Sequence, residues 1–289
     1  MARAFPPPAL DDAPLAPGLY VVATPIGNLR DITLRALDVL NAADLVLAED
    51  TRVAGKLLSA YGLSAKLERY DEHGAERTRP KAMAALAEGK RVALVSDAGT
   101  PLVSDPGYRL VKAAVEAGFP VFPIPGASAL LAGLSVAGLP TDRFLFAGFP
   151  PAKSAARRTF LEELAAVRAT LVFFEGGSRL AASLADMAQV LGDREAVVCR
   201  ELTKLYETVV RGRLSELAAD PRFEAPKGEI VVLVGPGREA EASAADADAA
   251  LADALTRLKP ADAAAEVAKA LGLSRRDLYR RAMEMRAGK

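Results

Sequence analysis

Short apolar runs alternate with amphipathic stretches from Gly18 to about residue 148. The runs are four or five residues long and rich in Val, Leu and Ile, whereas the stretches between them repeat their apolar residues every three or four positions. Such runs are typical of buried strands, and the longer repeat is typical of helices that cover them. The alternation therefore predicts a mainly parallel sheet with helices on its faces. The predicted strands are 19–23, 45–48, 92–96, 121–124 and 144–148, and the predicted helices are 32–41, 81–88 and 108–117.

A second set of apolar runs, between residues 171 and 234, alternates with helices less regularly. Within it, the segment YETVVRGRL at 206–214 has the pattern of an antiparallel edge strand. The two sets predict two α/β domains, 18–125 and 126–237, after a Pro-rich tail that we expect to be disordered over residues 1–17. The predicted strands of this second set are 171–174, 196–199, 207–211 and 230–234, and its predicted helices are 155–166 and 180–191.

The composition changes after the last predicted strand. Residues 238–256 carry five acidic residues and one Arg, whereas residues 257–289 carry nine Lys or Arg and four acidic residues. In the basic segment, apolar residues recur at helical spacing on both sides of a central Gly, and Ser274 can cap the second helix. The sequence predicts that 238–289 forms a linker and a small basic helical domain, with a helix–turn–helix over 262–285.

Composition narrows the classes of site that the chain can build. Lys and Arg together number 37, as do Asp and Glu, so no global charge points to a polyanionic partner. A single cysteine, Cys199, and a single histidine, His73, exclude a disulfide scaffold and zinc sites made of Cys or His, and we expect no metal. No apolar run reaches the roughly 18 residues of a membrane-spanning helix. With no signal-peptide core at its N-terminus, the chain is expected to be cytoplasmic and free of the membrane.

Polar, Gly-containing segments follow most of the predicted strands directly. In an open parallel sheet, ligands bind beyond the carboxyl ends of the strands, so these segments are the expected binding site. They contain neither G-x-G-x-x-G nor Gly-Lys-Ser/Thr, the marks of dinucleotide and nucleoside triphosphate sites. Backbone groups, acids and few cations suit a zwitterionic or cationic ligand better than a triphosphate. The segments are 24–28, 49–52, 97–101, 125–128, 175–179 and 200–204.

Several longer segments carry a resemblance to a known family. The runs ATPIGNLRDITLRALDVLNAADLVLAEDTR at 23–52, VSDAGTPLVSDPGYRLV at 95–111 and PGASALLAGLSVAGLP at 125–140 resemble the tetrapyrrole-methylase superfamily. The segments RFLFAGFPPAKSAARR, FFEGGSRL, RELTKLYETVVRG and KGEIVVLVG continue the match to Gly235. The tetrapyrrole enzymes themselves usually show a Gly-x-Gly-Pro-Gly-Asp-type loop where this chain has Thr24–Asn28. This difference favours the branch of the superfamily that methylates ribosomal RNA.

The resemblance implies a fold, a reaction and partners. It implies two α/β domains with S-adenosylmethionine in the cleft between them, and a homodimer. The implied reaction is methylation of the ribose 2′-hydroxyl of a cytidine in the decoding region of 16S rRNA, within the small ribosomal subunit. The family usually has His-Glu-His-Asn where this chain reads Asp71-Glu72-His73-Gly74, so we expect a surface contact from His73 rather than catalysis.

Three residues after the second predicted strand are the candidate catalytic residues. Methyl transfer needs an aligned donor and acceptor, and a group that takes the proton of the ribose hydroxyl. Glu49 falls where the porphyrinogen enzymes carry a loop acid, and Asp50 and Arg52 lie beside it. The resemblance makes them a candidate base and its orienting groups. The acids could instead form a helix N-terminus with a surface ion pair, and Arg52 could bind an RNA phosphate bidentately.

The resemblance also assigns cofactor-binding residues by their position in its motifs. Asp97 suits the ribose hydroxyls or the methionyl ammonium, and Ala127 and Ser128 would contact the methionyl part. The second domain would surround the adenosine. The alternative for all these positions is ordinary core and turn. The full set is Pro25, Gly27, Asp97, Gly99, Thr100, Ala127, Ser128, Phe174, Glu175, Leu202, Thr203, Glu229 and Ile230.

Two basic clusters are candidate contacts to RNA. Charge runs more often form a solvated helix face, but backbone contacts supply much of the affinity for RNA. A helix–turn–helix more often reads DNA; attached to this core, we expect it to dock on rRNA or to contact a dimer partner. The clusters are Lys153, Arg157 and Arg158 after a Pro-Pro turn, and Arg275, Arg276 and Arg280 in the helix–turn–helix.

Two other functions compete with RNA ribose methylation. One is a small-molecule methylase that acts on a porphyrinogen or a related precursor; the loop at 24–28 and the basic C-terminal segment argue against it. The other is a non-catalytic regulator whose core senses the cofactor and whose basic segment binds DNA. The second predicts cofactor binding without turnover, and the neutral net charge argues mildly against it.

Overall fold

A computed structural model describes residues 10–11, 13–71, 74–237, 244–271 and 273–287. The chain divides into two compact units, one ending at Pro236 and the other beginning at Gly237. Within the described ranges, no helix is both long and apolar enough to cross a membrane. His73, for which a surface contact was expected, lies outside the described residues.

The first sheet of the larger unit consists of five parallel strands. Four α-helices lie between them along the chain, which confirms the predicted parallel, helix-covered sheet, although the predicted strand at 144–148 belongs to the second sheet. The strands are β1 (Gly18–Val22), β2 (Leu45–Ala48), β3 (Leu67–Arg69), β4 (Arg91–Val95) and β5 (Val121–Ile124), in the order β3-β2-β4-β1-β5. The helices are α1 (Leu34–Ala42), α2 (Thr51–Ala60), α3 (Ala75–Ala87) and α4 (Tyr108–Glu116).

Both faces of this sheet are buried, which is why its strands are apolar almost throughout. Leu19, Leu47 and Leu94 lie in one apolar cluster, whereas Val46 and Ala93, which alternate with them along the strands, lie in the other. Two elements were not predicted. β3 is a three-residue edge strand, too short to show a pattern. α2 is a short helix that begins directly after the polar segment at the end of β2.

The second sheet also has five strands but is mixed. Its first two strands are parallel, and the other neighbours are antiparallel, so the predicted antiparallel edge strand is confirmed. The strands are β6 (Phe144–Gly148), β7 (Thr170–Gly176), β8 (Glu195–Arg200), β9 (Thr208–Arg213) and β10 (Glu229–Val234), in the order β6-β7-β10-β8-β9. The helices of this half are α5 (Ala129–Ala137), α6 (Ser154–Leu164), α7 (Leu180–Leu191) and α8 (Leu214–Ala219).

Helix α5 joins the two halves of the larger unit. It follows β5, yet it packs on the second sheet, where Leu134 contacts an apolar cluster that includes Val231 and Leu233. Ile26, from the loop after β1, belongs to the same cluster. The loops of the first sheet are therefore seated against the second sheet through buried apolar contacts, which gives the cleft between them fixed walls.

Part of the N-terminal segment that the sequence predicts to be disordered is packed against the first half. Leu10 and Leu15 contact two of its apolar clusters. The backbone amide of Asp11 donates to Asp38 Oδ1 at 3.0 Å, and the Tyr20 hydroxyl donates to the carbonyl of Ala16 at 2.6 Å. The Pro-rich composition concealed these contacts, because two isolated leucines make no periodic pattern.

The smaller unit contains the helices α9 (Ala244–Leu255), α10 (Pro260–Leu271) and α11 (Arg275–Ala287). The sequence predicted the last two and treated the acidic, Ala-rich segment before them as a linker, whereas that segment forms α9. Ala247, Leu251 and Ala254 share one side of α9 and are buried against the other two helices. Arg281 of α11 also donates two hydrogen bonds to Asp248 of α9, at 2.6 and 2.8 Å.

Candidate functional site

The loops after β1 and β4 are joined to each other at the carboxyl edge of the first sheet. Thr24 and Gly99 exchange two backbone hydrogen bonds of 2.8 and 3.0 Å, and the Thr24 hydroxyl donates to the carbonyl of Ser96 at 3.2 Å. Gly99 has a φ of +89°, a left-handed conformation that side-chain-bearing residues rarely adopt. Thr100 extends the connection to the loop after β5, since its hydroxyl donates to the carbonyl of Ala127 at 3.2 Å.

Two adjoining cavities open at this edge. The first, of about 470 Å³, lies between the loops of the first sheet and the ends of β7 and β10; we call it the acidic cavity. The second, of about 920 Å³, lies between the loop after β1 and helix α2; we call it the α2 groove. Ile26, Asp97, Ala98 and Glu229 line both.

The structure brings most of the predicted cofactor residues together around the acidic cavity. Pro25 and Gly27 line the α2 groove instead. The Ala127 carbonyl accepts a hydrogen bond from Thr100, which lines the cavity, and Thr203 lies in a neighbouring loop. The predicted residues that line the acidic cavity are Asp97, Gly99, Thr100, Ser128, Phe174, Glu175, Leu202, Glu229 and Ile230.

Three carboxylates from the first half face the acidic cavity: Glu49, Asp97 and Asp105. Burial raises the pKa of Glu49, and the charges of Asp105 and Asp97 add to the effect. Burial likewise raises the pKa of Asp105 to about 6, although a hydrogen bond with Ser96 opposes the change. Among the described residues, no three Asp, Glu, His or Cys side chains come close enough to hold a metal ion. Carboxylates that face a cavity can accept protons and bind cationic ligands.

Asp105 was not predicted from the sequence. The polar segment after β4 was taken to end at Pro101, but its loop continues to the start of α4 and returns Asp105 to the cavity. Leu102 and Ser104 in this loop have positive φ angles of 74° and 63°, which side chains rarely adopt. Leu102 also packs on the core of the first sheet. Strained backbone of this kind persists only where the surrounding structure holds it, so the packing of this loop fixes the position of Asp105.

The three predicted catalytic residues occupy different environments. Only Glu49 lines the acidic cavity. Asp50 caps α2 and binds the Arg52 guanidinium through both carboxylate oxygens, at 2.5 and 3.0 Å, and these bonds hold the pKa of Asp50 well below its usual range. Arg52 points to the α2 groove with 85% of its side chain exposed. The Asp50 amide donates to Asp97 Oδ1 at 2.9 Å, so Asp50 ties the segment after β2 to the segment after β4.

Aromatic rings form an apolar wall opposite the acids. Phe174 makes an edge-to-face contact with Phe146 at 4.8 Å between ring centroids and with Phe149 at 5.6 Å. Phe149 lines the cavity and is 54% exposed. It was not predicted as a binding residue, because the sequence shows it only as the start of a Pro-Pro turn. This wall can hold a flat, apolar ring system.

The acids of the second half are already paired. The buried Glu175 carboxylate contacts Arg179 at 2.6 Å, the Gly176 amide at 2.8 Å and the Ser183 hydroxyl. Its partners leave Glu175 little capacity to bind a ligand through its carboxylate. Glu229 forms an ion pair with Lys204 at 2.9 Å.

The loop after β8 covers the loop after β1. The Asn28 amide donates to the Thr203 hydroxyl at 3.2 Å. The stem of Lys204 crosses Gly27 so closely that a Cβ there would lie 2.3 Å from Lys204 Cγ. A larger residue at position 27 would therefore force the flexible Lys204 side chain to move.

One predicted RNA contact is wrong. Arg157 is buried, and its guanidinium binds the carboxylate of Asp186 at 2.6 and 2.8 Å and two backbone carbonyls. It therefore stabilises the packing of α6 on α7. Arg158 also contacts Asp186, at 2.7 Å, but remains partly exposed, and Lys153 is exposed.

The other predicted RNA contacts lie on the exposed side of α11. Arg275 and Arg276 form no ion pair with any residue that the structure describes, whereas Arg280 contacts Asp277 at 3.0 Å. These three cations remain accessible to a partner.

Comparisons with known proteins agree with this architecture. The family model of the tetrapyrrole (corrin/porphyrin) methylases matches residues 18–218, and that of the RsmI C-terminal HTH domain matches residues 241–286. The chain is 53% identical over 275 residues to ribosomal RNA small subunit methyltransferase I of Mesorhizobium japonicum, covering 94% of each chain. It is 56% identical over 273 residues to the protein of the same name from Erythrobacter litoralis, covering 94% of this chain and 97% of that one.

The fold is also similar to that of a cobalt precorrin-4 methyltransferase from cobalamin biosynthesis. The TM-score is 0.55 at 20% identity, covering 75% of this chain and 94% of that one. At this identity the likeness concerns the fold alone.

Proposed function

Since the chain belongs to the tetrapyrrole (corrin/porphyrin) methylase family and, within it, to the ribosomal RNA small subunit methyltransferase I group, we propose that it methylates a ribose 2′-hydroxyl of 16S rRNA with S-adenosylmethionine. The target we infer is a cytidine of the decoding region. The observation that carries the proposal is the acidic cavity at the carboxyl edge of the parallel sheet, in a chain that matches these relatives over nearly its whole length.

The acidic cavity fits S-adenosylmethionine in size and charge. Its volume of about 470 Å³ lies in the usual range for small-molecule sites. The described residues that line it include neither Lys nor Arg, and three of its five acids, Glu49, Asp97 and Asp105, form no ion pair with a described residue. This suits a ligand with a sulfonium and an ammonium group. When bound, S-adenosylmethionine supplies a methyl group already activated by positive sulfur. We assign the ammonium or the ribose hydroxyls to Asp97, the methionyl part to Ser128, and the adenine to the wall of Phe149 and Phe174.

The protein's own contribution to the reaction is alignment and removal of a proton. We assign the removal of the proton from the ribose hydroxyl to the carboxylates of Glu49 and Asp105. Both face the same cavity and have raised pKa values. A carboxyl with a pKa of about 6 is mostly ionised at pH 7, yet it is a stronger base than an ordinary aspartate. Asp50 acts as a positioning residue for Glu49, because its backbone amide donates a hydrogen bond to the Asp97 carboxylate and its own carboxylate binds Arg52.

Exposed cations of both units complete the proposal. Arg275, Arg276 and Arg280 are assigned to phosphate contacts with rRNA in the small subunit, and Lys153 and Arg158 to weaker contacts of the same kind. The protein is proposed to act as a homodimer in the cytoplasm, where its substrate is.

The test is methyl transfer from labelled S-adenosylmethionine. The acceptors are small subunits that lack the modification, naked 16S rRNA and a porphyrinogen, and the labelled RNA is digested to nucleosides. Label in a 2′-O-methylated cytidine is the expected result, with small subunits the better acceptor. Label in the porphyrinogen alone would show that the protein is a small-molecule methylase. Cofactor binding without any label transfer would favour the sensor.

A further inference from the structure

The two adjoining cavities differ in charge. The described lining of the acidic cavity has no cation, whereas the α2 groove is lined by Arg52, Lys56 and Lys204. Asp97 and Glu229, which the cavities share, are its acids. A cationic ligand is therefore favoured in the first cavity and a polyanion at the rim of the second.

The cations of the groove differ in availability. Lys204 is held by Glu201 at 2.8 Å and by Glu229 at 2.9 Å, so its charge is already neutralised. Lys56 is exposed and forms no ion pair with any residue in the described part of the chain. Arg52 precedes Lys56 by four residues, so both lie on the same side of α2. The Arg52 side chain is 85% exposed although it pairs with Asp50, so its guanidinium remains accessible to a phosphate.

The rest of the groove suits a nucleoside. Leu29 and Val53 provide apolar surface between the loop after β1 and α2, and Val53 is 38% exposed. The groove meets the acidic cavity at Ile26 and Asp97. A ribose in the groove can therefore approach the methyl group of S-adenosylmethionine bound in the acidic cavity. Its volume of about 920 Å³ exceeds that of the acidic cavity.

We propose that the α2 groove receives the target nucleotide of a single-stranded RNA segment, and that Arg52 and Lys56 bind the phosphates beside it. The proposal rests on the proposed function, and it adds the place where the acceptor binds. A single strand is specified because a base must leave its stack before its ribose can enter a cleft of this size.

The test compares two charge reversals in the full-length protein, Lys56→Glu and Lys66→Glu. Lys66 is an exposed lysine of the same half that lines neither cavity. The readouts are the affinity for a fluorescein-labelled single-stranded 16S rRNA fragment at several salt concentrations, the KM for small subunits, and the affinity for S-adenosylmethionine by calorimetry.

The expected result is specific to Lys56. Lys56→Glu should weaken RNA binding about tenfold. It should also make the negative slope of log K against log salt concentration shallower by about one. It should raise KM in proportion and leave S-adenosylmethionine affinity unchanged, and Lys66→Glu should change none of these. Lys56→Arg should bind RNA like the wild type, because it keeps the positive charge.

Two outcomes separate this proposal from the proposed function. If the wild-type protein methylates RNA but Lys56→Glu binds and turns over RNA like Lys66→Glu, the groove assignment is overturned and the methyltransferase stands. If the wild-type protein transfers no methyl group to RNA but Lys56→Glu alone weakens binding of the labelled fragment, the groove is an RNA site and the proposed reaction fails.

Discussion

The two halves of the larger unit contribute different chemistry to the same cavity. The first half, with its parallel sheet, supplies carboxylates whose pKa values are raised: Glu49 and Asp105. The second half, with its mixed sheet, supplies an aromatic wall, and its acids are paired with cations, as Glu175 is with Arg179. Parallel strands deliver all their following loops to one edge, whereas antiparallel strands send theirs to both ends. Reactive groups can therefore gather from the first sheet, and the second can serve as a rigid wall.

The largest effect should come from removing a carboxylate of the first half. Glu49→Gln should lower kcat by about 10²–10⁴-fold, since the amide cannot accept the proton. S-adenosylmethionine affinity should stay near that of the wild type. Single-turnover methylation of small subunits and calorimetry measure the two quantities. Unchanged turnover would remove Glu49 as the base and leave Asp105 as the remaining candidate.

Asp105→Asn should change the pH profile as well as the rate. In the wild type, kcat/KM should rise with pH through about 6 as Asp105 loses its proton. Because burial raises this pKa above its unfolded value, ionisation of Asp105 opposes folding. Its contribution to stability is greatest below the unfolded pKa and falls as pH rises through about 6. Asp105→Asn should abolish the acid limb near pH 6 and raise the melting temperature at pH 7. A retained acid limb would assign that ionisation to another group and leave Glu49 as the candidate base.

Glu175→Gln tests the opposite half with the same chemical change as Glu49→Gln. Loss of the charge weakens a buried bond to Arg179, so the free energy of unfolding should fall by roughly 1–3 kcal/mol. The kcat of the folded enzyme should change little. Urea denaturation beside the methylation assay separates the two effects. If kcat falls as far as in Glu49→Gln, the second half also supplies a carboxylate to the reaction, and the contrast between the halves is wrong.

Phe149→Ala should have the smallest effect. The exposed ring lines the cavity and offers one aromatic contact to a bound ring system, and aromatic contacts are worth about 0.5–1.5 kcal/mol, or roughly two- to tenfold in affinity. The Kd for S-adenosylmethionine should rise by that factor, with little change in kcat at saturation. Phe144→Ala is a matched control, because Phe144 is also exposed but does not line the cavity. Equal binding by both variants would remove the aromatic wall from the cofactor site.

Much of the first half could be predicted because its strands are buried on both faces. An apolar run that ends in a polar, Gly-containing segment marks both a strand and its carboxyl end, which is how Thr24, Glu49 and Asp97 were found. Asp105 escaped the same argument because the chain runs away from the sheet edge and then returns. Arg157 was misjudged because the residue that neutralises it, Asp186, lies 29 positions away.

The sequence by itself determined most of the strands and helices, and which strand ends carry polar groups, since periodicity and composition report local burial. It missed short or Ala-rich elements such as β3, α2, α5 and α9. The tertiary structure alone decided which charges are paired. Glu49 and Glu175 both follow or end an apolar strand, and sequence reasoning placed both at the site. Packing gave Glu175 an arginine, a hydroxyl and an amide, and gave Glu49 two other acids. A charge buried beside its counter-ion is compensated, and a carboxyl buried beside like charges holds its proton more tightly, because Coulomb energy depends on distance in space and not along the chain.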